Sequence, residues 1–98
     1  MFEHIVLLKF SQEATQSQKE ELIRRTYALK DVIPGIVDLQ QGFNFSDRNN
    51  GFEVGLTVRF ENRDSLNNYG PHPSHQAITA YLKEIGVEDS IIVDFETR

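Results

Sequence analysis

Phe52-Glu53-Val54-Gly55-Leu56-Thr57-Val58-Arg59-Phe60-Glu61 is the stretch on which the fold turns. Phe52, Val54, Leu56, Val58 and Phe60 alternate with Glu53, Gly55, Thr57, Arg59 and Glu61. A period of two sends one set to each face of a strand, so the segment is a strand with one buried face. Just before it, residues 46–51 (SDRNNG) are turn formers. Upstream of that turn, Ile36 to Phe45 reads as another strand, with Val37, Leu39, Gln41, Phe43 and Phe45 on one side.

The rest of the chain builds outward from this pair. His4 to Phe10 (HIVLLKF) is a β-branched and apolar run that predicts a strand. Thr15 and Gln18 make a capping-box pattern, and Leu22, Ile23, Thr26, Leu29 and Ile33 then share one helical face. Pro34-Gly35 stops that helix. Asn62 to Tyr69 predicts a short helical turn ending at Gly70-Pro71. A further helix starts near Pro73, with the face Ala77, Ile78, Tyr81, Leu82 and Ile85 and with Gly86 as its C-cap. Val87 to Phe95 closes the chain as a fourth strand.

The order β-α-β-β-α-β predicts an α+β, ferredoxin-like protomer: a four-stranded antiparallel sheet with its helices on one face. The face without helices should then be polar. Yet strand one carries Ile5 and Leu7 opposite Val6, Leu8 and Phe10, and the last strand carries Ile91 and Val93 opposite Ile92. Something must cover the second apolar face, and a second copy of the chain is the economical cover. The expectation is a homodimer through the sheet face.

Length and charge narrow the function. Residues 1–98 suit a single domain with one modest core. A net charge of −5 argues against nucleic acid and anionic membrane surfaces as partners. No window reaches the roughly 18 apolar residues of a membrane span, and Met1 leads straight into a strand pattern rather than a signal peptide. Zero cysteines leave no disulfide, thiol chemistry or zinc ribbon. A cytoplasmic protein without a cofactor is expected.

Chemistry concentrates in Tyr69-Gly70-Pro71-His72-Pro73-Ser74-His75. Two prolines stiffen the backbone around it. His75 falls in the first turn of the last helix, where exposed amides disfavour imidazolium, so a neutral imidazole able to act as a base is expected. Tyr69, across the Gly-Pro break, can fold back to the same cavity and polarise a carbonyl. His4 shares a strand face with Val6, Leu8 and Phe10 and can line that pocket too. Against this, a histidine at a helix start is often a cap, and a tyrosine at a helix end often only packs. His72, before a proline, is expected to point to solvent, although it stays among the binding candidates. His72 and His75 are spaced i, i+3, but no carboxylate is in register with them, so no metal is expected. Asp94, between Val93 and Phe95, is read as outward-facing or interfacial and is given no chemistry.

These residues together resemble the stress-responsive dimeric α/β-barrel (Dabb) family from end to end. The likeness rests on His4-Ile5-Val6-Leu7-Leu8-Lys9-Phe10, Ile33-Pro34-Gly35, Phe60-Glu61, Tyr69-x-x-His72-Pro73-x-His75 and Val93-Asp94-Phe95. The resemblance implies two protomers packed sheet to sheet as a barrel. A polyketide cyclase of that family implies His75 as the base of an intramolecular aldol reaction and Tyr69 as the group that binds or polarises the substrate. It also implies His4, Val6, Leu8, Leu22 and Ile23 as pocket walls. Many members look like small stress-associated proteins with no assigned reaction. The expected function is therefore binding of a small apolar or carbonyl-containing molecule, with cyclase-like chemistry as the alternative and a heme-free, monooxygenase-like role as a further one.

Overall fold

The computed structural model describes residues 1–98. Its elements are β1 (Phe2–Phe10), α1 (Gln16–Tyr27), α2 (Leu29–Val32), β2 (Ile36–Phe43), β3 (Val54–Phe60), α3 (Arg63–Tyr69), α4 (Pro73–Ile85) and β4 (Val87–Glu96). The strands form one antiparallel sheet in the order β2-β3-β1-β4, the ferredoxin-like arrangement. No helix is long and apolar enough to cross a membrane.

Period-two alternation decides which face is buried. Phe52, Val54, Leu56, Val58 and Phe60 are all buried, and Val58 and Phe60 are sealed from solvent. Register carries this face across the sheet: Val58 stands opposite His4 on β1 and Leu39 on β2. Two apolar clusters fill the space under the helices. Leu29, Ile33, Leu39, Leu56, Val58, Phe60 and Tyr69 form one, and Leu8, Phe10, Ala14, Leu22, Val54 and Ile85 form the other.

The helix starts follow their caps. Thr15 Oγ1 accepts from the Gln18 amide at 3.2 Å while Gln18 Oε1 accepts from the Thr15 amide at 2.9 Å, which completes the capping box. Two orphan donors of the first turn are satisfied this way, worth about 1 kcal/mol. Gly35 has φ +90°, and a Cβ there would collide with Ser65 Oγ. Both its backbone conformation and the close approach of α3 exclude a side chain.

Four local expectations differ from the structure. The first helix ends at Tyr27, and Leu29–Val32 is a separate single turn. Thr26 Oγ1 donates to the Leu22 carbonyl at 2.7 Å, back-bonding that bends helices. On β2, a register shift between Ile36 and Asp38 puts Ile36, not Val37, opposite Phe60, so Val37 is exposed. That strand stops at Phe43, and Phe45 stands fully exposed in the following loop. On α4, Ile78 and Ile85 pack into the core while Ala77 is exposed.

The face away from the helices is divided. Its β2–β3 half is polar, and Arg59 on β3 pairs with Glu3 on β1 at 2.5 Å. Its β1–β4 half is apolar: Leu7 stands opposite Ile91 and Ile5 opposite Val93, with Phe95 beyond. Ile91, Val93 and Phe95 are each more than 40% exposed.

Candidate active site

The joint between α3 and α4 brings the segment around Tyr69 and His75 together. The Tyr69 carbonyl accepts from the His72 amide at 3.2 Å, a tight turn through Gly70-Pro71. His72 is the N-cap of α4, and its Nδ1 accepts from the Ser74 amide at 3.1 Å. Pro73 follows at the first helical position, where its missing N–H costs nothing. The turn folds Tyr69 and His75 onto one another, with ring centroids 4.4 Å apart.

Each ring is held by a further contact. The Gly70 carbonyl lies 3.1 Å from His75 Nδ1. A carbonyl only accepts, so Nδ1 carries the hydrogen and Nε2 keeps its lone pair. Tyr69 packs edge-on against Phe60 at 5.2 Å and against His4 at 5.5 Å. His4, buried on β1, donates from Nδ1 to Asp94 Oδ1 across the β1–β4 ladder at 2.5 Å. Asp94, His4, Tyr69 and His75 thus form one continuous row.

The row lies on a cavity of about 580 Å³ between the β1–β4 half of the sheet and α3 and α4. Its walls are mainly Val6, Leu8, Ile92, Leu66 and Leu82. Burial shifts both central groups. It pushes the Tyr69 phenol up to about 12, so the hydroxyl stays protonated and can donate. It also lowers His75 from its ordinary value; His4 adds to this and the Gly70 carbonyl opposes it. The direction is the one expected from the sequence, but desolvation leads where a helix terminus was expected to.

Of the residues singled out in the sequence, His4, Val6, Leu8, Tyr69 and His75 line the cavity. Leu22, Ile23 and His72 do not. Leu22 is buried in the core with Phe10, Ala14 and Ile85. Ile23 lies beside Arg24, Tyr27 and Leu39 at the β2 side. The reason is placement: α1 covers β2 and α4, whereas the cavity belongs to β1, β4, α3 and α4. His72 does not point freely to solvent; it is half-buried and engaged as a cap. No group of three or more histidine or acidic side chains is arranged to hold a metal ion.

Asp94 overturns its sequence reading. It faces the helices, not outward, and it fixes His4. A signal was present: Asp94 has the parity of Ile92, opposite to Ile91, Val93 and Phe95, so the expectation of a sheet-face dimer already placed it on the helix side.

A model of the stress responsive A/B barrel domain, Dabb, matches residues 2–97. The chain belongs to the Dabb family. Olivetolic acid cyclase from Cannabis sativa is 32% identical to this Dabb domain over 97 residues, covering 97% of this chain and 95% of that one. Among solved structures, a dimeric ferredoxin-like protein of unknown function from Bacteroides fragilis is 27% identical. It covers 98% of this Dabb domain and 95% of its own chain, with a TM-score of 0.80. A dimeric ferredoxin-like protein of unknown function from Thermobifida fusca has a TM-score of 0.86 at 22% identity, covering 98% and 90%. These solved relatives of the Dabb domain are dimers, and no specific activity is assigned to them.

Proposed function

We propose that this Dabb domain works as a homodimer, joined through the open sheet face, whose cavities bind small and mainly apolar carbonyl compounds. The observation that carries the reading is the Tyr69–His75 pair at 4.4 Å on a cavity of about 580 Å³. That volume falls within the roughly 300–1,000 Å³ of small-molecule sites. A protonated phenol next to a neutral imidazole offers one donor and one acceptor to the same ligand. A carbonyl oxygen takes the hydrogen bond from Tyr69, and the acidic C–H beside it faces His75 Nε2. The exposed Ile91, Val93 and Phe95 support the sheet-to-sheet dimer, since such a patch is removed from water only by a partner.

An amide NMR titration with 2,4-nonanedione, a neutral 1,3-diketone with a short alkyl chain, tests the binding. Shifts are expected at Val6, Leu8, Tyr69 and His75, and Tyr69→Phe is expected to weaken binding about fivefold through loss of one hydrogen bond. Shifts confined to other surfaces, or none at all, would overturn the reading.

A catalytic reading is favoured by the lowered His75 and by the similarity to olivetolic acid cyclase. In it, His75 Nε2 takes the proton from a carbon flanked by two carbonyls. The enolate carbon then forms a C–C bond to a distant carbonyl carbon of the same chain, and the resulting alkoxide takes the proton back. Tyr69 donates to the oxygen on which charge develops. An apolar cavity that folds the chain supplies the proximity this step needs.

A further inference from the structure

The residues that flank the cavity away from Tyr69 and His75 carry charge of an unexpected sign. The chain has 15 acidic and 10 basic side chains, excluding histidine. Lys19, Arg24, Arg25 and Arg59 are held in ion pairs with Glu53, Glu21 and Glu3. Arg63 and Lys83 belong to none of these pairs, are exposed, and both line the cavity. The cavity's one carboxylate, Asp94, is engaged by His4. The site is therefore locally cationic on a protein whose net charge is −5.

The placement of the two cations is as informative as their sign. Tyr69 ends α3 and His75 begins α4, so the pair sits where the two helices join. Arg63 is the first residue of α3, six residues before Tyr69, or roughly 9 Å along the axis. Lys83 is eight residues after His75, or roughly 12 Å along α4. His75, Thr79 and Lys83 recur at i, i+4 and i+8, and all three line the cavity. Both helices thus run from the Tyr69–His75 joint to a cation at the far end, with Leu66 and Leu82 between.

We infer that the ligand of this cavity is bipolar, with a carbonyl group at Tyr69 and His75 and an anionic group, a carboxylate or phosphate, at Arg63 and Lys83. An apolar spacer of about 9 Å joins the two ends, matching the run of α3 from Tyr69 to Arg63. This rests on the cavity being a binding site, as proposed above, and adds the charge and length of what it takes. Arg63 and Lys83 act by binding and steering: an anion is drawn to a cavity whose two unpaired cations oppose the general repulsion of the chain.

The test uses 7,9-dioxodecanoate and its methyl ester, which share the 1,3-diketone and the five-methylene spacer and differ only in the terminal charge. Dissociation constants come from amide NMR shifts at Tyr69 and His75. The acid is expected to bind about tenfold more tightly than the ester at about 20 mM salt, with the ratio shrinking toward one at about 500 mM as screening sets in. The double variant Arg63→Gln, Lys83→Gln is expected to bring the ratio close to one at low salt. Equal binding of acid and ester, with shifts at Tyr69 and His75, would overturn the bipolar ligand and leave the cavity reading standing. An unchanged ratio in the double variant would overturn the assignment to Arg63 and Lys83. Absence of shifts at Tyr69 and His75 with both probes would overturn the cavity reading, and this inference with it.

Discussion

His75→Ala is expected to slow deuterium exchange at the central carbon of bound 2,4-nonanedione by about 10²- to 10⁴-fold, the range a positioned general base supplies. Exchange requires only that a proton leave the carbon between the two carbonyls and a deuteron return. It therefore reads the base without knowledge of a natural substrate. In the catalytic reading the base is His75 Nε2, because Nδ1 is held by the Gly70 carbonyl at 3.1 Å. The pH dependence has a definite sign. Burial lowers His75, so the lone pair is free at neutral pH and is lost only as pH falls through a midpoint below 6.5. The exchange rate, corrected for the buffer reaction, is thus flat above that midpoint and falls below it. Exchange in His75→Ala within about twofold of the unsubstituted protein would remove His75 as the base.

Phe60→Ala is expected to cost about 3–5 kcal/mol of stability. Phe60 is sealed from solvent, stands opposite Phe2 on β1 and Ile36 on β2, and packs edge-on beneath Tyr69 at 5.2 Å. Truncation leaves a cavity where the sheet, Tyr69 and the first apolar cluster meet. Domains of this size have about 5–15 kcal/mol in total, so the loss is a large share of the margin. At about 4–8 °C per kcal/mol the melting temperature drops by roughly 12–40 °C. Protomer concentration must be held fixed, since dimerisation adds to apparent stability. A loss below about 1 kcal/mol would mean that Phe60 is not the centre of the packing.

The fold was legible because its signals are local and redundant. The alternation from Phe52 to Phe60 reads in one way, and Thr15–Gln18 and Pro73 mark helix starts that the structure keeps. What was missed depends on partners far away in sequence. The shift at Val37 is set by the pairing of Ile36 with Phe60, 24 residues on, and no pattern within β2 announces it. The family resemblance implies Leu22 and Ile23 as pocket walls, whereas helix periodicity says only that their face is buried and not against which half of the sheet. The site divides along the same line. Tyr69 and His75 come together through a seven-residue turn whose prolines are visible in the sequence. Asp94 reaches His4 across 90 residues, through strand register alone. The positive character of Arg63 and Lys83 is hidden in an acidic composition, and it emerges only from their shared place on the cavity.

The central claim is that His75 stands neutral on the cavity with its Nε2 unengaged. A nitrogen-15 NMR titration of the histidine rings tests it most directly, since it reports both the midpoint of each imidazole and which ring nitrogen bears hydrogen. The account predicts a His75 midpoint below 6.5, hydrogen on Nδ1, and a response of Nε2 when 2,4-nonanedione is added. A midpoint at or above 6.5, or hydrogen on Nε2 of the neutral ring, would contradict it.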